Sequence, residues 1–300
     1  MLDLAVYWFM FPACIFIAAM AMFTGISGTA MLTPFIILIF PLIGVPQLTP
    51  AQAIGMALTT EFFGFISGVY GYYRLKLIDY NIVKRLTIVS VPAIIAFALI
   101  SQTISGVLLK SAYGVLMVVI AAYLWLTAKS TVRNRDLEVV PKEVLQIKRI
   151  DEGKVITRVK TADDKTYSYR ACNTKLGRLV TLVGAAMEGL ISVGLGELEM
   201  PNLVRNCKLP IAVSAATSVA IIAVTVLAGA SVDILLLFSK GGTGAIPYNL
   251  IIYTIPGAII GGQIGVRLQG RLSSKHTERF ISGLFALIGM AFLYVVLPYL

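Results

Sequence analysis

Thr24-Gly25-Ile26-Ser27-Gly28-Thr29 sits near the middle of a run, Leu4 to Thr60, that contains no Lys, Arg, Asp or Glu. About 20 apolar residues cross a bilayer once, so a run of this length belongs in lipid. Glycines flanked by small hydroxyl residues mark a point where a helix stops, turns and restarts. Thr33-Pro34 interrupts the run a second time. Leu4–Phe40 therefore reads as a helical hairpin with its tip at the glycines, and Pro41–Pro50 as an uncharged external loop. Further uncharged runs cover Leu86–Leu109, Ser111–Ala128, Leu209–Val232, Gly241–Val266 and Phe280–Leu300. Across all 300 residues, 58% are apolar and 13% charged, with mean hydropathy +0.86. Soluble domains carry about 25% charged residues. The chain reads as an all-α polytopic membrane protein, which argues against a soluble enzyme, a secreted disulfide framework and a nucleic-acid partner.

The net charge of +10 is a matter of topology. Arg74–Arg85, Lys129–Arg178 and Arg267–Arg279 together hold 21 of the 25 Lys and Arg. Basic loops face the cytoplasm, which places loop 129–178 inside and both termini outside a plasma membrane. Asp3 replaces the basic flank of a signal peptide and no small-residue cleavage site follows, so the first helix is expected to be retained. Cys14, Cys172 and Cys207 are far apart and His276 is the one histidine. No metal site, cofactor or nucleophile–base pair can be assembled from them, and an enzyme is not expected.

The interior divides into a first transmembrane repeat (1–128), a cytosolic linker (129–178) and a second transmembrane repeat (179–300). In the first, Ala51–Tyr72, Leu86–Ile104 and Ser111–Ala128 follow the hairpin, giving about five membrane segments. In the linker, Val144–Ile150, Val155–Thr161 and Thr166–Arg170 are Val-, Ile-, Thr- and Tyr-rich with turn compositions between them, which predicts a small three-stranded meander. The second repeat runs through Leu179–Leu190, a break at Ser192-Val193-Gly194-Leu195-Gly196, a short arm through Pro201, then Ile211–Val232, Pro247–Val266 and Phe280–Leu300. Landmarks recur in order: Pro34 with Pro201, Pro50 with Pro210, Gly68 with Gly229, Pro92 with Pro256, Gly114 with Gly283. Pro50 to Gly68 is 18 residues and Pro210 to Gly229 is 19. An odd number of segments per repeat makes the second half run in the opposite sense. Inverted-topology repeats are the mark of alternating-access transporters.

The two broken hairpins then enter from opposite faces, and their tips should meet inside the membrane. Irregular backbone survives at that depth only where protein buries it or a cavity lies beside it. Each arm after a break presents a helix N-terminus, with free N–H groups and a positive dipole end, to the gap. Thr24, Gly25, Ser27, Gly28 and Thr29 from one tip, with Ser192, Gly194 and Gly196 from the other, form a candidate cradle for a small oxyanion. Small residues in this pattern also serve plain helix packing. Thr59-Thr60 and Thr217-Ser218 recur at equivalent depth after the matched prolines, as substrate donors or as hydroxyls bonded to their own helix.

Carboxylates inside a membrane are costly and mark function by default. Glu61 lies half way down its helix, with Ala220 at the matching position, and Glu188, Glu197 and Glu199 flank the second break. Glu61 and Glu197 are the proton-coupling candidates. Glu197 can alternatively cap its helix, and Glu199 can pair with Arg205.

The hairpin Gly25–Pro34, Pro50–Thr60 (PAQAIGMALTT), their echoes at Ser192–Pro201 and Pro210–Ser218, Ile255–Gly265 (IPGAIIGGQIG) and Ile281–Met290 (ISGLFALIGM) together resemble the TauE/SafE family of sulfite exporters and sulfonate permeases. The resemblance covers nearly everything outside Lys129–Arg178. It implies movement of sulfite, an organosulfonate or a related sulfur anion across the cytoplasmic membrane, often outward. The chain departs from the family in its long insert and in Glu197-Leu198-Glu199. The expected partners are that small anion and the lipid bilayer, with a homodimer left open. A cation- or proton-coupled importer of another small solute, using the membrane glutamates as ligands, is the alternative.

Overall fold

The computed structural model describes residues 4–131, 156–160, 166–170, 174–207, 209–269 and 274–299. Each helix boundary has a local cause. α1 (Met10–Thr24) ends where Gly25 takes the left-handed conformation, φ 71°, and donates its N–H to the Ala21 carbonyl; that conformation suits glycine. α2 spans Thr29–Leu42, with a wide π-turn at Phe35–Ile39 just after Pro34. α3 (Pro50–Arg74) starts with proline at its first position behind a capping box, the Thr49 hydroxyl accepting from the Gln52 N–H, a pairing that satisfies exposed first-turn donors. α4 (Tyr80–Ser101) is capped by Asp79 through the N–H groups of Asn81 and Ile82. α5 (Gly106–Thr131) closes the first half.

The second half repeats this order as α6 (Thr174–Ile191), α7 (Leu195–Arg205), α8 (Ile211–Gly241), α9 (Tyr248–Leu268) and α10 (Ser274–Val296). Pro34 and Pro201 both fall inside the second arm of a hairpin, and Pro92 and Pro256 both fall inside the fourth helix of their half. One expected boundary moves, and one landmark pairing differs in its packing. α8 runs on past Val232 to Gly241, because the Asp233 that ends the uncharged run is fully buried and accepts from Gln102. Gly114 packs reciprocally with Gly289 on α10, whereas Gly283 has open space beside it.

Six helices among the described residues, α3, α4, α5, α8, α9 and α10, contain stretches long and apolar enough to cross a membrane. Their outer faces expose large apolar side chains, among them Ile88, Val119, Leu235 and Leu287, as expected where lipid is the solvent. This is a multi-pass membrane protein. The four shorter helices make two hairpins. In the first, Tyr7 packs tilted and Phe9 edge-on against Phe40, with ring centroids 5.5 and 5.9 Å apart, clasping the open end. In the second, Thr181 on α6 donates to Glu199 on α7 at 2.6 Å.

Helix partnering is reciprocal between the halves. α1 packs on α9, and α6 packs on α4; α3 packs on α9, and α8 on α4; α2 lies on α3, and α7 on α8. The third helices, α3 and α8, meet each other, as do the fifth, α5 and α10. The α1–α9 contact depends on Gly257 and its neighbour one turn on, Gly261: a methyl at either would strike a carbonyl oxygen of α1, that of Phe11 or Ile15. Small residues at four-residue spacing let membrane helices approach this closely.

In the central linker, β1 (Ile156–Lys160) and β2 (Thr166–Arg170) pair antiparallel, Ile156 opposite Arg170 and Lys160 opposite Thr166. The described residues thus hold a two-stranded ladder where three strands were expected; Val144–Ile150 and most of 129–178 lie outside them.

Candidate functional site

The two hairpin tips lie against each other in the middle of the bundle and overlap. Gly25, at the first tip, touches Ala215 near the start of α8, and its carbonyl accepts from Ser218 at 3.1 Å. Ile191, at the second, shares a small cavity with Pro50 and Ile54 at the start of α3. Ser192 bonds Thr33 across the junction at 2.8 Å. Ser192 takes the left-handed conformation at φ 54°, and Gly194 follows at φ 129°, a turn that its missing Cβ allows.

Buried polar atoms converge on this point. Ser27 Oγ lies 2.7 Å from Glu61 Oε1, 3.0 Å from Glu188 Oε1 and 2.5 Å from Thr29 Oγ1. Thr29 Oγ1 donates to Glu188 Oε1 at 2.9 Å. The N–H groups that open α2 point at Glu61: Gly28 N lies 2.5 Å and Thr29 N 3.4 Å from its Oε1. Those that open α7 are held in the same way. Leu195 N donates to Glu188 Oε2 at 3.0 Å, and Gly194 N to Glu197 Oε2 at 2.9 Å. The donors expected to cradle an oxyanion are occupied by the protein's own carboxyl groups.

Counting protons constrains the cluster. Ser27 and Thr29 supply one hydroxyl proton each, yet four oxygen–oxygen contacts join them to each other and to Glu61 and Glu188. With both carboxyls ionised, two of these contacts would be bare repulsions. A proton taken up by either carboxyl would supply one of the missing donors. Glu61 Oε2 and Glu197 Oε1 are buried and have no hydrogen-bond partner among the described residues. A narrow cavity with room for a water molecule, lined by Cys14, Ile17, Ala21, Gly28, Leu32 and Glu61, runs beside Glu61.

The remaining candidates divide. Thr24 turns its hydroxyl back to the Met20 carbonyl and Thr59 to that of Gly55, both four residues earlier in their own helix. Thr60 bonds Thr254 of α9 at 2.9 Å. Thr217 accepts from the Asp79 N–H at 3.1 Å, pinning the turn between α3 and α4 onto α8. Gly196 presses on the backbone of Ser27 and Ile26. Glu199 is held by Thr181 and Asn202, while the Arg205 guanidinium lies 5.4 Å from the Tyr123 ring centre; the expected Glu199–Arg205 pairing gives way to these contacts. Glu188, suspected only for lying near a break, proves to be central. Its signal in the sequence was a carboxylate four residues before the break, where the first half has Ala21. Among the described residues no group of three or more His, Cys, Asp or Glu is arranged to hold a metal ion.

Six spans around two interrupted hairpins whose helix N-termini meet at mid-bundle define a membrane transporter. A family model described as "Sulfite exporter TauE/SafE" matches residues 10–292, and the chain belongs to that family. It is 24% identical over 271 residues to the probable membrane transporter protein YunE of Bacillus subtilis (strain 168), covering 90% of this chain and 91% of that one. It is 32% identical over 79 residues to the probable membrane transporter protein YjnA of the same strain, 26% of this chain and 28% of that one. No solved structure matches.

Proposed function

We propose that the chain carries a small sulfur oxyanion, sulfite or an organosulfonate, outward across the plasma membrane by alternating access between two inverted five-helix repeats, in step with protons held by Glu61, Glu188 and Glu197. The observation that carries this reading is the meeting of two helix N-termini, those of α2 and α7, at one buried point. Opposed positive dipole ends and first-turn N–H groups, here turned to carboxyl oxygens, suit an anion of two or three oxygens. Ser27 and Thr29 add hydroxyls, and Gly28, Gly194 and Gly196 let backbone approach the substrate closely.

The reciprocal packing of the halves supports inverted repeats, since each hairpin leans on the other half's fourth helix. Rocking one such unit against the other would expose the tips to either side in turn. The charge pattern supports a cytoplasmic 129–178 linker between repeats 1–128 and 179–300, with external termini. An inside-negative potential favours outward movement of an anion by about 2.3 kcal/mol per charge per 100 mV.

The test is flux of sulfite, and separately of an organosulfonate, in sealed proteoliposomes with and without an imposed pH gradient. Saturable flux that responds to the gradient is expected. The crowding of carboxyls without a basic partner in the hydrogen-bond network also fits the second reading, a cation- or proton-coupled importer. Solute uptake driven by a cation or proton gradient, with no response to any sulfur anion, would select it.

A further inference from the structure

We infer that Glu61 and Glu188 are internal stand-ins for the transported anion: each carboxyl occupies the backbone donors the oxyanion needs, and the anion enters by displacing them as they take up protons. This rests on the oxyanion reading above and supplies its coupling. The geometry is specific. Glu61 Oε1 takes the Gly28 and Thr29 N–H groups, and Glu188 Oε2 takes that of Leu195. Both carboxyls also share the Ser27 hydroxyl. The tip thus holds carboxyl oxygens in the positions where substrate oxygens would sit.

Exchange needs somewhere for a carboxyl to go and a way to lose its charge. Glu61 Oε2 is buried and unpartnered, and Glu61 lines the narrow cavity between α1, α2 and α3. An ionised carboxylate pushed off its donors there would be stranded in a low-dielectric interior, whereas a protonated one can leave them. An anion brought beside ionised Glu61 and Glu188 would moreover be repelled. Anion binding and proton uptake are therefore one event, and an empty tip is closed by its own carboxyls.

The surroundings offer the proton one further carboxyl close by: Glu197 on α7 accepts from the Gly194 N–H through Oε2 and leaves Oε1 buried without a hydrogen-bond partner among the described residues. Tyr113 on α5 donates to the Ala30 carbonyl at 3.1 Å, and Cys14 on α1 lines the cavity. α9 packs on α3 through Ala258 against Gly64, and carries its one cation, Arg267, in its last turn. α8 brings Asp233 near Gly55, toward the other end of α3 from its inner turn, where it faces Gln102.

The test measures binding of methanesulfonate, which does not itself titrate near neutrality, to the full chain in detergent. Heat of binding is followed across pH, and proton uptake is read with an indicator dye in weak buffer. The expected result is net proton uptake and an affinity that rises about tenfold per unit fall in pH where one proton is taken up. Glu61→Gln and Glu188→Gln should each flatten that slope, and Glu199→Gln, bonded away from the tip, should keep it. Saturable binding with no proton uptake would overturn the exchange while leaving the oxyanion site standing. An undiminished slope in both tip variants would do the same. Absence of saturable binding of methanesulfonate and sulfite at every pH would overturn the oxyanion reading itself, and the exchange with it.

Discussion

Gly196 lies against Ser27 backbone to backbone: a methyl on its Cα would strike the Ser27 amide nitrogen and come within 2.8 Å of the Ile26 carbonyl carbon. This contact joins the two hairpins, and nothing flexible is available to yield. Overpacked positions of this kind cost about 1–3 kcal/mol. Gly196→Ala should lower the unfolding temperature of the purified protein and abolish sulfite flux. Gly283→Ala, with open space beside its Cα, should leave both unchanged or raise stability by about 0.5–1 kcal/mol. Equal behaviour of the two variants in a thermal-shift assay would show that the tips do not meet as described.

Much of this junction could be read from the sequence because glycine and proline announce themselves. Gly25, Gly28, Pro34, Gly194, Gly196 and Pro201 mark the breaks in an otherwise apolar text, and periodic charge-free runs mark the spans. Side-chain direction was not legible. Thr59 and Thr217 recur at matched depth, yet one bonds its own helix and the other a neighbouring turn; spacing along a helix does not say which way a hydroxyl rotates. Asp233 reads as the end of a span because its partner, Gln102, is distant in sequence. Glu188 was hidden for a related reason. Its importance lies in reaching Ser27 and Thr29 across 161 and 159 residues, a relation that pairing within one repeat does not reveal.

The two threonine sites separate by what their hydroxyls hold. Thr59→Val removes a bond to a carbonyl of its own helix, a back-bond that does little for helix stability, so the unfolding temperature should stay unchanged and the KM for sulfite within about twofold of the parent. Thr217→Val orphans the Asp79 N–H at the cap of α4, and an unsatisfied buried donor costs about 1–3 kcal/mol. Its signature is a lower unfolding temperature with KM unchanged. A raised KM for Thr59→Val would put that hydroxyl back in the substrate path.

Sidedness can be read by labelling. Gln47 lies exposed in the loop between α2 and α3, and Asn81 lies exposed in the first turn of α4. On intact cells a membrane-impermeant maleimide should label Gln47→Cys above the parent chain. Asn81→Cys should exceed the parent only after permeabilisation. The reverse pattern would invert the orientation that the basic loops imply, and with it the outward direction proposed for transport.

Ser27 and Ser192 look equivalent as small hydroxyl residues at paired breaks, but their partners make them unequal. Ser27 serves two carboxyls at once, Glu61 at 2.7 Å and Glu188 at 3.0 Å, whereas Ser192 shares one neutral contact with Thr33 at 2.8 Å. Hydrogen bonds to charged groups are worth about 1.5–3 kcal/mol, and neutral ones about 1 kcal/mol. Because about 1.4 kcal/mol is a factor of ten, Ser27→Ala should cut sulfite flux by about tenfold or more and alter its response to a pH gradient. Ser192→Ala should lower the unfolding temperature slightly and leave the pH response as it was. Parallel flux curves for the two variants across the gradient would mean that Ser27 serves only to pack the tip, and the coupling would then have to run between the carboxyls without it.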